Sequence, residues 1–262
     1  MGVINVTPDS FSDGGKFSTA DAAIQQAEEM FEVGAAIVDV GGESTRPGAG
    51  KVSESEEIDR VIPVIEGIAG DADRVISIDT SKPAVMRAAA GAGASMINDV
   101  FALRRDGALE AAAALDTAVC LMHMQGEPGT MQDEPAYTDI PGDILSFLSE
   151  RVSACQAAGI ERDRIVIDPG FGFGKTHEHN VRLLASLERF QELGMPVLVG
   201  LSRKRTLGAL TGKAVNERLP SAIAAAVLAV ERGANIVRTH DVDETVDALK
   251  IANAIMHSGK DG

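Results

Sequence analysis

The sequence predicts an α/β protein of the (β/α)₈ (TIM) barrel class. Three observations favour it: eight short apolar runs, a spacer of helical length after most of them, and polar residues where each run ends. In such a barrel the carboxyl ends of the strands meet at one mouth, so residues far apart in sequence line one pocket. The length of 262 residues suits one barrel, since this fold often has about 250 residues.

The predicted strands are rich in Val, Ile and Leu with little alternation, as expected where both faces of a sheet are buried. In chain order they cover residues 2–6, 36–40, 75–79, 95–98, 118–122, 165–168, 197–200 and 236–239. The polar residues at their exits are Asn5, Glu43, Thr45, Arg46, Asp79, Asn98, His123, Asp168, residues 202–204 and residues 238–240. We expect these residues to share one mouth.

The segments between the strands predict the outer helices. Residues 19–35, 54–69 and 221–234 are typical Ala- and Glu-rich amphipathic stretches. Glycines are predicted to end helices in the left-handed conformation at Gly34, Gly91, Gly159, Gly194 and Gly233. No linker or low-complexity segment is found, so we expect one domain over residues 1–262.

The composition is that of an ordinary globular protein, with 45% hydrophobic and 24% charged residues. No apolar run reaches the roughly 18 residues of a membrane span, so we expect a cytoplasmic protein without membrane partners. The net charge of −15 argues against nucleic-acid binding, which needs a basic face. Cys120 and Cys155 have no paired spacing and are expected to be structural.

The segment Pro169–Thr176, PGFGFGKT, does not match a nucleotide-binding loop, because Pro169 and Lys175 stand where the two glycine motifs need Gly. It is either a structural turn or a glycine loop that brings backbone and Phe173 close to a ligand. Two further loops, residues 7–18 and 42–55, are rich in Gly, Ser, Asp and Pro, and are typical of lids over a site.

The carboxylates of Asp79 and Asp168 must either pair with a cation or accept hydrogen bonds from a ligand, because an unpaired buried charge is costly. A flat heterocycle with adjacent N–H donors would satisfy one of them, with Asn98 and Lys204 at its other polar atoms. The alternative is an internal Asp–Lys ion pair that closes the barrel.

Cations cluster after the seventh and eighth strands, a corner where these barrels commonly bind phosphate. They are Arg203, Lys204, Arg205, Arg238 and His240, although Arg203 and Arg205 are also compatible with solvated helix-start positions. The histidines show no zinc-binding spacing. Asn5 is compatible with one protein contact to Mg²⁺.

At these residues the sequence resembles the bacterial dihydropteroate synthase family of folate biosynthesis, the target of sulfonamide drugs. The matching stretches cover almost the whole chain in order: NVTPDSFSDGG, DVGGESTRPGA, SIDTSKP, IND, LMHMQG, DPGFGFGKT, GLSRKR and RTHDV. The resemblance implies a transferase that condenses 6-hydroxymethyl-7,8-dihydropterin diphosphate with 4-aminobenzoate, giving 7,8-dihydropteroate and diphosphate. It also implies a Mg²⁺ cofactor and a homodimer formed through the later helices.

The resemblance assigns the site residues in three groups and names five that act in catalysis. The pterin would be held by Asp79, Asn98, Asp168 and Lys204. The diphosphate would be held by Asn5, Thr45, Arg46, Arg238 and His240, with Asn5 also contacting the metal. The 4-aminobenzoate would be framed by Phe11, Thr45, Pro47, Phe173, Ser202, Lys204 and Arg205. The residues implied in catalysis are Asp13, Arg46, Lys204, Arg238 and His240.

Two departures from the family pattern stand out. Arg205 occupies a position where some relatives carry a serine hydroxyl for the 4-aminobenzoate carboxylate. The chain also lacks the N-terminal hairpin of longer relatives, which indicates a truncated start, a short form, or a barrel end filled by large side chains.

Three other functions fit parts of the pattern. They are a pterin-binding methyltransferase that serves a corrinoid protein, an aldolase with Lys204 as its Schiff-base nucleophile, and a non-catalytic pterin- or sulfonamide-binding protein.

Overall fold

The computed structural model is a barrel in which eight parallel strands alternate with helices. It describes residues 1–7, 19–44, 50, 52–71, 73–127, 129–132 and 134–258. The strands are β1 Gly2–Asn5, β2 Ile37–Gly41, β3 Val75–Asp79, β4 Met96–Asp99, β5 Ala118–Met122, β6 Ile165–Asp168, β7 Leu198–Gly200 and β8 Ile236–Arg238. The predicted (β/α)₈ class is confirmed.

Hydrogen bonding divides the strands into two sheets. β1 to β6 form one parallel sheet in sequence order, and β7 pairs with β8. Single parallel bridges join the two sheets, Ile167 with Val197 on one side and Gly2 with Thr239 on the other. The ring of strands is therefore closed, and its two seams flank the β7–β8 pair.

The helices surround this ring. They are α1 Thr19–Glu32, α2 Glu54–Ile68, α3 Pro83–Ala92, α4 Ala108–Ala113, α5 Ile140–Ala157, α6 His177–Ala185, α7 Arg205–Thr211, α8 Leu219–Glu231 and α9 Val242–His257. Within the described residues no helix is long and apolar enough to cross a membrane.

Four of the five predicted helix-ending glycines have positive φ, as expected. The prediction for Gly91 is wrong, because α3 continues through this residue. Gly93 ends that helix instead, with φ of 120°, and its N–H bonds back to the carbonyls of Ala89 and Ala90.

Alternation along each strand separates the helix-facing core from the barrel interior. Residues such as Ile97, Leu121 and Ile167 belong to the large core shared with the helices. Residues one position away in the strands form a separate buried cluster of Met96, Cys120, Val166 and Leu198, with Met1, Ile37, Ala118 and Ile236 packed against it. Its buried residues lie about two positions before the carboxyl ends of their strands, so the cluster forms the layer beneath the barrel mouth.

A half-buried lysine joins three segments beside this mouth. The Nζ of Lys82 donates to Glu43, to Glu57 and to the carbonyl of Val52, with the Glu43 contact at 2.9 Å and the Val52 contact at 2.7 Å. Glu57 is only 1% exposed, so this ammonium neutralises a buried charge. We refer to Lys82, Glu43 and Glu57 as the Lys82 cluster.

Candidate active site

The described part of the mouth contains ten of the predicted site residues. Five lie in the last two positions of a strand: Asn5, Asp79, Asn98, Asp168 and Arg238. Five follow a strand by two to five positions: Phe173, Ser202, Lys204, Arg205 and His240. The predicted residues Phe11, Asp13, Thr45, Arg46 and Pro47 lie outside the described residues, as does most of the two predicted lids.

Arg238 at the end of β8 reaches across the barrel to two carboxylates. Its Nε donates to Asp39 Oδ2 at 2.7 Å and its Nη2 donates to Asp79 Oδ2 at 2.9 Å. The amide of Asn98 donates to the same oxygen of Asp39 at 3.0 Å. Asp79 therefore has an internal ion pair, but its cation is Arg238 and not the lysine of the predicted Asp–Lys pair.

Asp39 is a site residue that the sequence reasoning missed. It is fully buried, and its Oδ1 has no hydrogen-bond partner among the described groups. The available signal was a charged residue inside the apolar run IVDVG, because such a residue must be paired where both faces of a strand are buried.

This network changes the acidity of Asp79. Burial is the main cause that raises its pKa to about 7, and the neighbouring charge of Asp39 adds to the shift, while Arg238 opposes it. Asp79 is therefore poised to gain or lose a proton near neutral pH.

The glycine segment after β6 is a tight turn that packs against the residue following β5. Gly170, Gly172 and Gly174 have φ of 73°, 81° and 61°, which only glycine adopts readily. A Cβ on Gly170 would lie 1.9 Å from the carbonyl oxygen of His123, so no larger residue fits. The N–H of Gly170 donates to Asp168 Oδ1 at 2.7 Å, which orients that carboxylate.

Lys204 faces both the turn and Asp168. Its Nζ lies 4.2 Å from the centre of the Phe173 ring, a cation–π contact. Burial lowers the pKa of Lys204 to about 8, partly offset by the charge of Asp168. Burial also raises the pKa of Asp168 to about 6, opposed first by the Gly170 N–H and then by Lys204. Between these values the carboxylate and the ammonium are both charged.

The next corner holds His240 and Ser202. The Oγ of Ser202 lies 3.1 Å from Nδ1 of His240 and accepts from its backbone N–H at 3.3 Å, so the two exits of β7 and β8 are tied together. Arg203 has φ of 59° and pairs with Asp241 at 2.6 Å near the surface. Arg205 is exposed and begins α7.

Asn5 is half-buried at the end of β1, beside Gly41 and Asp79. A Cβ on Gly41 would lie 3.8 Å from Oδ1 of Asn5 and 3.5 Å from Cβ of Asp79. Gly41 therefore leaves space between the neutral side-chain oxygen of Asn5 and the side chain of Asp79 at the rim of the mouth.

The site combines two buried carboxylates, Asp39 and Asp168, and the partly buried carboxylate of Asp79 with Arg238 and Lys204 at one mouth. Carboxylates and Asn98 suit a flat ring that carries N–H donors, and the cations suit an anionic group. A neutral heterocycle with an anionic substituent would use both halves at once.

Comparisons with known proteins agree with this arrangement. Residues 1–240 match the family described as "Pterin binding enzyme". The dihydropteroate synthase of Escherichia coli strain K12 is 50% identical over 256 residues, covering 98% of this chain and 91% of that protein.

Two solved structures of the Xanthomonas albilineans dihydropteroate synthase are also similar. The complex with 4-aminobenzoic acid has a TM-score of 0.92 and 52% identity, and the complex with 7,8-dihydropteroate has a TM-score of 0.89 and 49% identity. Each comparison covers 98% of this chain and 92% of that chain. The chain belongs to the dihydropteroate synthase family of pterin-binding enzymes.

Proposed function

We propose that this protein condenses 6-hydroxymethyl-7,8-dihydropterin diphosphate with 4-aminobenzoate to give 7,8-dihydropteroate and diphosphate. The observation that carries the proposal is the convergence of Asp79, Asn98 and Asp168 with Arg238 and Lys204 at one barrel mouth. The full-length similarity to dihydropteroate synthases, one of which is known with 7,8-dihydropteroate bound, supports it.

The pterin is assigned to the carboxylate half of the site. Asp168 accepts one hydrogen bond from Gly170 and has lone pairs left for the amino and ring N–H donors of the pterin. Asn98 and Asp79 are placed for the remaining polar edge, and Lys204 for a carbonyl or ring nitrogen. A pterin that meets all four has its ring plane fixed.

The diphosphate is assigned to the cations of β8. Arg238 and His240 lie two positions apart at the exit of that strand, and Asn5 lies across the seam on β1. Thr45 and Arg46, which lie outside the described residues, are proposed to complete this group. A guanidinium and an imidazole N–H lower the energy of the diphosphate as it leaves with its negative charge.

Asn5 fits a Mg²⁺ site of the kind in which one neutral protein oxygen is joined by water and phosphate oxygens. Its partly exposed position beside Gly41 leaves room for such ligands. Bound there, Mg²⁺ would neutralise charge on the diphosphate and so improve it as a leaving group.

The 4-aminobenzoate is assigned to the Phe173 side of Lys204. The ring of Phe173 and the methylenes of Lys204 offer an apolar wall, while Ser202 and Arg205 are proposed for its carboxylate. Phe11 and Pro47, outside the described residues, are proposed to frame its other face.

The chemistry needs no nucleophilic side chain. The proposed reaction is a dissociative substitution: the bond from the exocyclic methylene to the diphosphate oxygen breaks, and the electron-rich dihydropterin stabilises the resulting cation. The neutral arylamine nitrogen then attacks this carbon and releases a proton. Water must be kept out, because it would convert the cation to the alcohol, and Asp13 with its loop is proposed to do so.

The experiment follows diphosphate release and dihydropteroate formation from the pterin diphosphate with Mg²⁺, with and without 4-aminobenzoate. Coupled release and product would support the synthase, with Asp13→Ala expected to increase hydrolysis relative to condensation. Pterin binding without diphosphate release would contradict the proposal and indicate a non-catalytic binding protein. Trapping of a carbonyl substrate on Lys204 by borohydride would indicate an aldolase instead.

We also propose that the protein is a homodimer through α8 and α9. Leu228, Ile251 and Ile255 on these helices are 42%, 65% and 68% exposed, and Ile251 and Ile255 lie four residues apart on the same face of α9. Light scattering after size-exclusion chromatography should give the mass of a dimer. Ile251→Glu combined with Ile255→Glu should give the mass of a monomer.

A further inference from the structure

Lys175, directly after the glycine turn, is a buried cation that the proposed reaction does not use. Its side chain is almost inaccessible, since the residue is 2% exposed. Its Nζ donates to the carbonyl of Gly170 at 2.8 Å and to that of Phe173 at 3.0 Å, and lies 3.0 Å from Nδ1 of His123. A fourth acceptor, the carbonyl of His123, lies at 3.4 Å, so the three N–H donors of the ammonium are all used.

These contacts join the turn after β6 to the end of β5. His123 follows β5 and its backbone N–H donates to the carbonyl of Asp168 at 2.9 Å. Its imidazole accepts from Lys175 through Nδ1, which requires the neutral ring with its proton on Nε2. Burial and the charge of Lys175 both lower the pKa of His123, so the neutral ring is favoured.

A residue proposed to bind a substrate lies at each end of the turn: Asp168 before it and Phe173 near its end. The N–H of Gly170 orients Asp168, while the carbonyl of Gly170 accepts from Lys175. At the other end, the carbonyl of Phe173 accepts from the same ammonium and its ring lies against Lys204. The side chain of Lys175 therefore sets the distance between Asp168, which is proposed to bind the pterin, and the Phe173 ring, which is proposed to contact the arylamine.

We propose that Lys175 is a positioning residue for the condensation. It holds the turn Gly170–Gly174 so that Asp168 and Phe173 present the pterin and the 4-aminobenzoate to each other. It also supplies a positive charge near the carboxylate of Asp168. Lys175 touches neither substrate. The inference rests on the proposed function.

The charge of Lys175 has a measurable consequence for Asp168. The cations that lower the pKa of this carboxylate are Lys204, Lys175 and Arg238. Burial lowers the pKa of Lys175 itself to about 7, and Lys204 adds to this shift while Asp168 opposes it, so Lys175 carries its charge in the acid range where Asp168 titrates. The other titratable groups in contact with Lys175 are neutral near pH 7: His123, as above, and Tyr137, whose ring centre is 5.9 Å from Nζ and whose phenol pKa is raised by burial. Removing Lys175 should therefore raise the pKa of Asp168.

The key variant is Lys175→Met, which keeps an apolar stem of similar length but has no donor and no charge. The matched control is Tyr137→Phe, which removes one neutral donor to the same turn, the hydroxyl bond to the Gly174 carbonyl at 2.7 Å. Two readouts are used: direct titration of pterin fluorescence between pH 5 and 9, and steady-state kcat and KM for 4-aminobenzoate at pH 8.

Lys175→Met should raise KM for 4-aminobenzoate at least tenfold. It should also shift the acid limb of pterin binding, the loss of affinity as the pH falls, to higher pH. Tyr137→Phe should leave that limb in place. A Lys175→Met protein with the KM and acid limb of the unsubstituted protein would overturn the proposal. If Lys175→Met does not fold, Lys175→Gln keeps donors without charge, and an unshifted acid limb in it would overturn the electrostatic part.

The binding readout separates the two proposals. A protein that binds pterin but makes no dihydropteroate contradicts the proposed function, while the shift of its acid limb still decides the role of Lys175.

Discussion

Replacing Asp39 with Asn should destabilise the protein by about 2–3 kcal/mol. The Oδ2 of Asp39 accepts from Arg238 at 2.7 Å and from Asn98 at 3.0 Å in a fully buried position. Breaking a buried ion pair by removing one partner costs about 3–5 kcal/mol. Asp79 still pairs with the guanidinium at 2.9 Å, which places the cost at or below the lower end of that range.

For a chain of this length, that loss corresponds to a fall in Tm of about 5–10 °C. The measurement is urea and thermal unfolding at pH 7. The control is Asp241→Asn, which breaks the Arg203–Asp241 pair of similar length near the surface and should cost less than about 1 kcal/mol.

The Asp39→Asn variant should also change the pH dependence of pterin binding. The charge of Asp39 raises the pKa of Asp79, so its removal should lower that pKa below about 7. Pterin binding that needs an ionised Asp79 should then persist to lower pH than in the unsubstituted protein. A variant as stable as the Asp241→Asn control, with an unchanged pH dependence of binding, would refute the reasoning about this network.

Three further predictions follow from the site and its supports. The kcat/KM for the pterin diphosphate should be bell-shaped between pH 5 and 9.5, falling below about 7 as Asp79 gains a proton, further below about 6 as Asp168 gains one, and above about 8 as Lys204 loses one; Lys204→Met should abolish the alkaline limb, and its persistence would assign that limb to another group. Gly170→Ala should prevent folding or abolish pterin binding, because its Cβ would meet a carbonyl oxygen at 1.9 Å, whereas Gly212→Ala, with φ of 70° and open space, should cost only about 1–2 kcal/mol in urea unfolding. Lys82→Met should cost about 3 kcal/mol in the same assay, since it leaves the buried carboxylate of the Lys82 cluster unpaired, and a cost below 1 kcal/mol would contradict that account.

The strands could be predicted closely from sequence. The bounds of β3, β5 and β6 agree with the predicted ranges, because runs of buried Val, Ile and Leu define a strand without reference to the rest of the chain. Helix ends are less well determined, as Gly91 illustrates: Gly91 and Gly93 lie in the same short segment, and only the φ of each residue distinguishes the cap from a helical glycine.

The position of the strand-exit residues at one mouth could also be predicted, since parallel strands bring their carboxyl ends together. Their partners could not. Arg238 and Asp39 are 199 positions apart, and Lys175 and His123 are 52 apart. Which cation reaches which carboxylate depends on side-chain length and direction across the barrel, which a one-dimensional pattern does not contain.

The reach of Arg238 across the mouth makes substrate binding an exchange of partners. The guanidinium comes from the β7–β8 pair, whereas Asp39 and Asp79 belong to the six-stranded sheet on the other side of a seam. On the proposed assignment, a pterin that donates to Asp79 would compete with Arg238 for that carboxylate. The arginine would then be available to the diphosphate of the same molecule, while its bond to Asp39 holds it in place. The ion pairs that Arg238 makes within the protein would thus be exchanged in part for an ion pair with the ligand.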